Sequence, residues 1–212
     1  MPRILNRRGL MLILSSPSGA GKSTLTRLLV QDDPHIRLSV SITTRPRRAS
    51  EVNGVHYNFV DVDEFHFLKE RGDLLEWAQV HGNYYGTPIK PVEKALQLGH
   101  DILFDIDYQG THQIVSRMRE DTATIFILPP SMTELKSRLL RRAEDASDVI
   151  ARRLDNARAE IARWKDYDYV LVNDDLQRTY ADLRAIVTTE RLRREQHHGL
   201  EEFIDGLLTQ AL

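Results

Sequence analysis

A loop of small residues with one lysine lies near the start of the 212-residue chain, and its composition suits phosphate binding. It consists of Ser16, Pro17, Ser18, Gly19, Ala20, Gly21, Lys22, Ser23 and Thr24. An apolar run precedes it and a helical pattern begins at Lys22. Glycines allow backbone N–H groups to turn toward phosphate oxygens, and a helix N-terminus carries partial positive charge. This order predicts a nucleotide phosphate loop, in which Lys22 contacts the β- and γ-phosphates and the Ser23 hydroxyl binds Mg²⁺.

The loop departs from the usual pattern at its first position. The pattern G-x-x-x-x-G-K-[ST] begins with glycine, whereas this chain has Ser16 there. Serine adopts a positive φ only at a cost, so we expect a negative φ at Ser16. A glycine-rich turn that binds nothing is the alternative interpretation, but the strand before it and the helix after it favour a phosphate loop.

Two aspartates follow an apolar run farther along the chain. Asp105 and Asp107 end the segment 101–107, and strict alternation predicts that both lie on one face of that strand. Ligands of parallel α/β sheets bind at the carboxyl ends of the strands. Asp105 is therefore predicted to help hold Mg²⁺, directly or through water. The alternative is that these aspartates end the strand by capping.

Strand and helix patterns alternate along the chain. The predicted strands are 10–15, 37–44, 57–60, 101–107, 123–128 and 168–172, with irregular structure or short strands over 74–87. The predicted helices are 22–31, 61–71, 88–98, 109–119, 131–142, 147–163 and two closing stretches separated at Gly199. Asp61 is the candidate N-cap of the helix 61–71. This order predicts an α/β fold with a central parallel sheet flanked by helices.

Composition excludes several classes of protein. The 29 Lys and Arg residues nearly balance the 31 Asp and Glu residues, which argues against a globally basic nucleic-acid binder. The chain has no cysteine, so disulfides, thiolate metal sites and cysteine nucleophiles are excluded. No run approaches the ~20 apolar residues of a membrane helix. We expect a cytoplasmic protein without membrane or nucleic-acid partners, and the sequence leaves its oligomeric state open.

Several segments together resemble the guanylate kinase family of P-loop nucleoside monophosphate kinases. The matching segments are SPSGAGKST (16–24), SITTRPRRASEVNGVHYNFV (41–60), LLEWAQVHGNYYGTP (74–88), LFDIDYQG (103–110), the arginine-rich span 138–153 and VNDDL (172–176). The resemblance covers nearly the whole chain and implies the P-loop kinase fold in a single domain, 1–212. It implies a core at 9–35, 91–137 and 154–212, a GMP-binding lobe at 36–90 and an arginine-rich lid at 138–153.

The resemblance also implies a set of GMP contacts. They are Ser41, Arg45, Arg48, Tyr57, Glu76, Tyr85, Thr87 and Asp107. The planar fork of arginine suits phosphate oxygens, and the two tyrosine hydroxyls complete a monophosphate site. One ionised carboxylate, that of Glu76, accepts from both the N1–H and the amino group of guanine. Taken singly, each of these residues fits a surface or packing role equally well.

For the ATP side, the resemblance implies contacts from the whole loop 16–24, Arg138 and Asn173. It further implies that Lys22, Arg45, Arg142 and Arg153 stabilise the transferring phosphoryl group, whose negative charge spreads in the transition state. Arg141 and Arg152 adjoin two of these arginines, so the assignment between neighbours stays open by one position. A charged surface helix explains most other charges around this span. A helix cap is an equal alternative for the cluster Asn173-Asp174-Asp175.

The function that the resemblance implies is ATP-dependent phosphorylation of GMP to GDP, with Mg²⁺, in purine nucleotide metabolism. One alternative is a related P-loop kinase that acts on a pentose bisphosphate. Another is a non-catalytic guanylate kinase-like module that binds phosphopeptides, and a weaker one is a nucleic-acid-binding ATPase. The presence of Ser41, Glu76 and Thr87 argues against the first, and an intact Lys22 and Ser23 argue against the second.

Overall fold

The computed structural model describes residues 6–80, 82–142 and 147–210, except for the side chains of 142, 147 and 148. The strands are β1 (Asn6–Arg7), β2 (Met11–Ser15), β3 (Ile36–Leu38), β4 (Ile42–Thr43), β5 (Asn58–Phe59), β6 (Leu74–Val80), β7 (Asn83–Pro88), β8 (Asp101–Asp105), β9 (Thr122–Leu128), β10 (Tyr169–Val172) and β11 (His197–His198). The α-helices are α1 (Lys22–Asp32), α2 (Val62–Glu70), α3 (Ile89–Gln97), α4 (Tyr108–Met118), α5 (Met132–Arg142), α6 (Ser147–Ile161), α7 (Leu176–Glu190) and α8 (Leu200–Thr209). None of the helices in these ranges has both the length and the apolar character needed to span a membrane.

The main sheet contains five strands in the order β10-β9-β2-β8-β3, and all of its pairs are parallel. Its central strand β2 is buried along its whole length, because helices cover both faces. Leu12 and Leu14 face a core shared with α1 and α7, whereas Met11 and Ile13 face a core shared with α3 and α4. The predicted parallel α/β architecture is confirmed.

A second sheet, in the order β5-β4-β7-β6, lies within the segment 36–90. Its longest part is the antiparallel hairpin β6–β7, so of the two alternatives predicted over 74–87 the strands are confirmed and irregular structure is not. The strand predicted at 37–44 is also divided, since β3 pairs with β8 in the main sheet and β4 pairs with β7 in the second. The break arises because the chain leaves one sheet and enters another between Leu38 and Ile42.

One face of the second sheet packs on α2. Ile42, Phe65 and Leu74 form the centre of this small core. The Asp61 side chain caps α2 by accepting from the Glu64 backbone N–H at 2.7 Å, as the sequence predicts. Because side chains alternate along a strand, the opposite face of the sheet is left for polar residues that point toward the main sheet.

The two ends of the described chain are joined by an antiparallel ribbon of β1 and β11, which sequence analysis did not predict. The fully buried Asp101 of β8 anchors this region. Its carboxylate accepts from Arg7 at 2.6 and 3.0 Å, from Arg191 at 2.7 Å and from the Leu10 backbone N–H at 2.9 Å. Asp101 therefore links β1, β2, β8 and the end of α7.

Substitution of Asp101 by alanine should strongly destabilise the fold. It leaves Arg7 and Arg191 without their shared carboxylate, and loss of one partner of a buried ion pair costs about 3–5 kcal/mol. Urea unfolding measures the change. Asp155→Ala is the control, because Asp155 pairs with Arg158 on the exposed surface of α6, where such pairs contribute about 0–1 kcal/mol. Equal unfolding midpoints for the two variants would contradict this account.

Candidate functional site

The predicted phosphate loop joins β2 to α1 and has an internally braced backbone. Gly19 and Gly21 have φ values of 92° and 108°, which side chains rarely tolerate. The buried carbonyl oxygen of Ala20 accepts from the Asn173 side-chain amide at 2.7 Å and from Arg138 at 3.3 Å. A Cβ atom at Gly21 would collide with that same amide of Asn173. Glycine is therefore required at Gly21 both by conformation and by close approach.

Lys22 and Asp105 meet at the carboxyl edge of the main sheet. The Lys22 ammonium group donates to the Asp105 carboxylate across a gap of 83 residues in sequence. Ser23 is exposed in the first turn of α1, immediately beside this pair in sequence. An ammonium group, a hydroxyl and a carboxylate are thus available where a phosphate chain and its cation would lie.

The structure separates the two aspartates that sequence alternation placed on one face. β8 ends at Asp105, and Asp107 is the N-cap of α4. The Asp107 carboxylate accepts from the backbone N–H groups of Gln109 at 2.9 Å and Gly110 at 3.1 Å. The alternation argument was wrong here, because alternation ceases once the chain leaves the sheet, and the capping alternative is confirmed for Asp107.

Ser41, Glu76 and Thr87, all predicted to recognise guanine, form one hydrogen-bonded chain. Cross-strand pairing places Glu76 of β6 opposite Thr87 of β7. The Thr87 hydroxyl donates to the Glu76 carboxylate at 2.7 Å, and Ser41 lies 3.2 Å from the Thr87 hydroxyl oxygen. Since Thr87 has only one hydroxyl hydrogen, Ser41 is the donor of the second bond.

Glu76 is a buried carboxyl group with an altered acidity. Burial raises its pKa from the ordinary 4.5 to about 7; the Thr87 hydrogen bond opposes the rise and the Asp107 charge adds to it. A Cβ atom on Gly110 would lie 3.2 Å from a Glu76 carboxylate oxygen, so the start of α4 also confines this side chain. A ligand with two adjacent N–H donors would replace the hydrogen bonds to water that burial removes, and it would therefore favour the ionised carboxylate.

Arg45, Tyr57 and Tyr85 gather at the other end of this polar face. The tyrosine ring centroids are 6.0 Å apart, and the Arg45 guanidinium carbon lies 5.6 Å from the Tyr57 ring centroid. Arg48 is exposed on the turn that comes after Arg45. A cavity of about 350 Å³ opens between the two sheets. It is lined by Leu38, Ser39, Ser41, His56, Tyr57, Asp105 and Ile106.

A second cavity, of about 330 Å³, lies on the α5 side of the phosphate loop. Its lining consists of Gly19, Gly21, Thr24, Arg138, Arg141, Asn173, Asp174 and Leu176. Arg138 donates to Glu134 at 2.9 Å and to the Asn173 carbonyl at 3.1 Å, so it braces the loop as well as bordering the cavity. Asn173 is 6% exposed. Asp175 of the same Asn-Asp-Asp cluster caps α7, which confirms the predicted helix cap for this cluster.

The predicted lid is only partly described. Arg142 ends α5, but its side chain lies outside the described residues, as do residues 143–146 entirely. Arg153 is half-buried on α6. Beyond the lid, the exposed pair of Arg158 with Asp155 at 2.9 Å shows that the rest of α6 carries a charged helix surface, as predicted for part of this region.

Three residues near the site were missed by sequence analysis. Glu51 accepts a hydrogen bond from Arg45. The Gln113 side chain of α4 both accepts from and donates to the Trp77 backbone of β6. Glu160 of α6 borders a small cavity together with Ser16. Burial raises the pKa of Glu160, and the neighbouring Lys22 opposes that rise. An acid within an arginine-rich turn was the one signal that pointed to Glu51, and no sequence pattern marks the other two.

Comparison with known proteins gives a consistent result. The sequence model of the guanylate kinase family matches residues 8–190. The guanylate kinase of Rhizobium etli is 58% identical over 210 residues, which are 99% of this chain and 96% of that protein. That of Rhizobium meliloti is 59% identical over 209 residues, 99% of this chain and 95% of that protein. The crystal structure of guanylate kinase from Anaplasma phagocytophilum gives a TM-score of 0.77 at 36% identity and covers 99% of this chain and 100% of that one.

In the ligand-free protein, the Glu76 carboxyl group should titrate near pH 7, measured by carbon-detected NMR of labelled glutamate side chains. Thr87→Val should raise this pKa further, because it removes a hydrogen bond to the ionised form. Thr87→Ser is the matched control and should leave the pKa nearly unchanged. The unfolded chain loses this proton at lower pH than the folded one, so the free energy of unfolding should fall between about pH 4.5 and 7. A Glu76 pKa below 5 would refute the burial argument.

Proposed function

Because this chain belongs to the guanylate kinase family, we propose that it transfers the γ-phosphoryl group of ATP to GMP, with ADP and GDP as products. The observation that carries the proposal is the buried Glu76 carboxylate, bonded to Thr87 and placed on the same lobe as Arg45. A carboxylate acceptor at one end and a guanidinium donor at the other match the two ends of GMP.

Base selection depends on the polarity of the hydrogen bonds at Glu76. Guanine presents N1–H and an amino group side by side, and both donate to one carboxylate. Adenine presents an acceptor at N1, which leaves the carboxylate unpaired in a buried place. A site of this kind discriminates against a mismatched analogue by a factor of order 10⁴.

Phosphoryl transfer in this proposal requires positioning and charge rather than a general base. The attacking oxygen of GMP is already ionised at neutral pH. Lys22 contacts the β- and γ-phosphates, Arg45 orients the GMP phosphate, and Arg142 and Arg153 of the lid stabilise the charge that spreads over the moving phosphoryl group. Closure of the lobe 36–90 and the lid 138–153 over the core would exclude water.

Mg²⁺ fits the proposed site through oxygen ligands. The Ser23 hydroxyl and the Asp105 carboxylate would hold it, and Asp105 is 36% exposed at the sheet edge beside Lys22. The described residues contain no group of three or more His, Cys, Asp or Glu side chains suited to a metal, so phosphate oxygens and water would supply the other ligands. When bound, Mg²⁺ neutralises charge on the β- and γ-phosphates.

The ATP side is assigned to the loop 16–24 with Arg138 and Asn173. The cavity of about 330 Å³ beside this loop supports the assignment, because it provides room for the nucleoside next to the phosphate loop. Residues 45 and 48, with Tyr57, Tyr85 and Asp107, complete the proposed GMP contacts. The pentose bisphosphate kinase and the phosphopeptide module gain no support from the comparisons, which name guanylate kinases. We assign the reaction to purine nucleotide metabolism in the cytoplasm.

The test of the proposed function is ADP formation from Mg-ATP, with GMP, AMP, CMP, UMP and dTMP offered separately. GMP should exceed the others in kcat/KM by a factor of order 10⁴. Glu76→Gln should lose most of that preference with little change in the KM for ATP, because the amide keeps the size of the carboxyl group but presents N–H toward guanine. GMP turnover that survives Glu76→Gln unchanged would refute the base-recognition argument, and absence of turnover by folded wild-type protein would refute the kinase proposal.

Lys22→Ala should lower kcat by a factor of about 10²–10³, because one preorganised positive donor to the phosphate chain is lost. The fold should persist, since Lys22 makes one ion pair with a partly exposed carboxylate. Circular dichroism and urea unfolding check the fold. Lys94→Ala on the exposed surface of α3 is the control and should retain full activity. A Lys22→Ala enzyme with more than a tenth of wild-type kcat would contradict the assigned role.

A further inference from the structure

Glu51 is an acidic residue within the turn that carries the predicted phosphate-binding arginines. One of its carboxylate oxygens accepts from the Arg45 guanidinium at 2.6 Å, and the other accepts from the Arg48 backbone N–H at 2.8 Å. The Glu51 carbonyl oxygen accepts from the Arg47 side chain at 2.6 Å. Its own backbone N–H donates to the Arg48 carbonyl at 3.1 Å, which closes the turn.

These bonds restrain Arg45, the arginine assigned to the GMP phosphate. Its guanidinium also donates to the Pro46 carbonyl at 2.7 Å and lies 5.6 and 5.9 Å from the ring centroids of Tyr57 and Phe59. The Arg45 and Glu51 side chains are only 15% and 12% exposed. An arginine has five N–H donors, and here Glu51, Pro46 and Tyr85 are its hydrogen-bond partners, so donors remain for a phosphate.

The turn has few other means to keep its shape. Residues 46–50 are exposed and belong to no helix or strand, so burial does not order them. The hydrogen bond to Arg45 lowers the pKa of the Glu51 carboxyl, and the same bond raises the pKa of Arg45. The pair therefore stays ionised over the physiological pH range.

We propose that Glu51 is a positioning residue for GMP, which holds Arg45 and the Arg48 backbone in the orientation that receives the phosphate. This inference rests on the proposed function, since it assigns the ligand of Arg45. Two opposing effects act here. The carboxylate repels a phosphate dianion, but it also removes the rotational freedom of a long side chain before the ligand arrives. We assign the larger effect to restraint, because both carboxylate oxygens are directed at loop donors rather than at the cavity.

The experiment compares binding of GMP and of guanosine to wild-type protein and to Glu51→Gln by calorimetry. The variant should bind GMP about tenfold more weakly, the factor expected when one side chain must be ordered on binding. Its affinity for guanosine, which lacks the phosphate, should be unchanged. In turnover assays the KM for GMP should rise by a similar factor while the KM for ATP stays constant. Tighter GMP binding would overturn the proposal and make Glu51 a competitor of the phosphate, and equal weakening of guanosine and GMP would reduce it to a general structural role.

Two further variants isolate the pathway through Arg45. Arg45→Ala and the double variant Arg45→Ala, Glu51→Gln should differ in GMP affinity by much less than tenfold, because the guanidinium that Glu51 orients is absent and only its bond from the Arg48 backbone N–H remains. If the double variant loses GMP affinity by the product of the two single-variant factors, the proposal is overturned. Asp73→Asn is the matched control, since Asp73 pairs with Arg71 in the same lobe at 3.0 Å, and it should behave as wild type.

The failure of the proposed function is distinguishable from failure of this inference. The Nη–H resonances of Arg45 report the Arg45–Glu51 pair without any substrate, because Nη2 is the donor to Glu51, and they should shift and broaden in Glu51→Gln. If wild type does not bind or phosphorylate GMP, the proposed function fails. If wild type does so and Glu51→Gln is indistinguishable from it, only the positioning role fails.

Discussion

The carbonyl oxygen of Ala20 is where three distant parts of the chain meet. It accepts from Asn173, which lies just after β10, and from Arg138 of α5, so the phosphate loop is tied to both. These bonds and the close approach of Asn173 to Gly21 fix the path of the loop, which uses the positive φ values that glycine allows. The carboxyl edge of the main sheet then places Lys22 and Asp105 beside it, and the second sheet faces this edge across the cavity.

The second sheet carries a carboxyl group at one end and a guanidinium group at the other, and together these groups orient a ligand. At one end burial raises the pKa of the Glu76 carboxyl to about 7, so two N–H donors that reach it would favour its ionised form. At the other end the Arg45 guanidinium donates to the Glu51 carboxylate at 2.6 Å. A molecule with adjacent donors at one end and an anion at the other satisfies both ends in only one orientation. Guanine and the α-phosphate of GMP have that arrangement.

Sequence reasoning succeeded where a short segment decides the outcome alone. The order of strand, glycine loop, lysine and helix is local, and the structure has it at the predicted place. The Asp61 cap of α2 is local as well. Sequence reasoning failed where the end of a strand depends on the strand that it pairs with, as at Asp107. Nothing within 101–107 indicates that hydrogen bonding to the sheet stops at Asp105. For the same reason the sequence left 74–87 open between irregular structure and short strands, and did not predict their pairing as a hairpin.

The sequence by itself determined the class of fold, the phosphate loop and, through resemblance, the residue types that a guanylate kinase uses. Only the tertiary structure decided what those residues touch. Burial of Glu76 requires the β6–β7 pairing and the start of α4, and the bracing of Ala20 requires a residue 153 positions away. The physical reason is that pKa shifts and hydrogen bonds depend on distance in space, whereas a sequence pattern reports only neighbours along the chain.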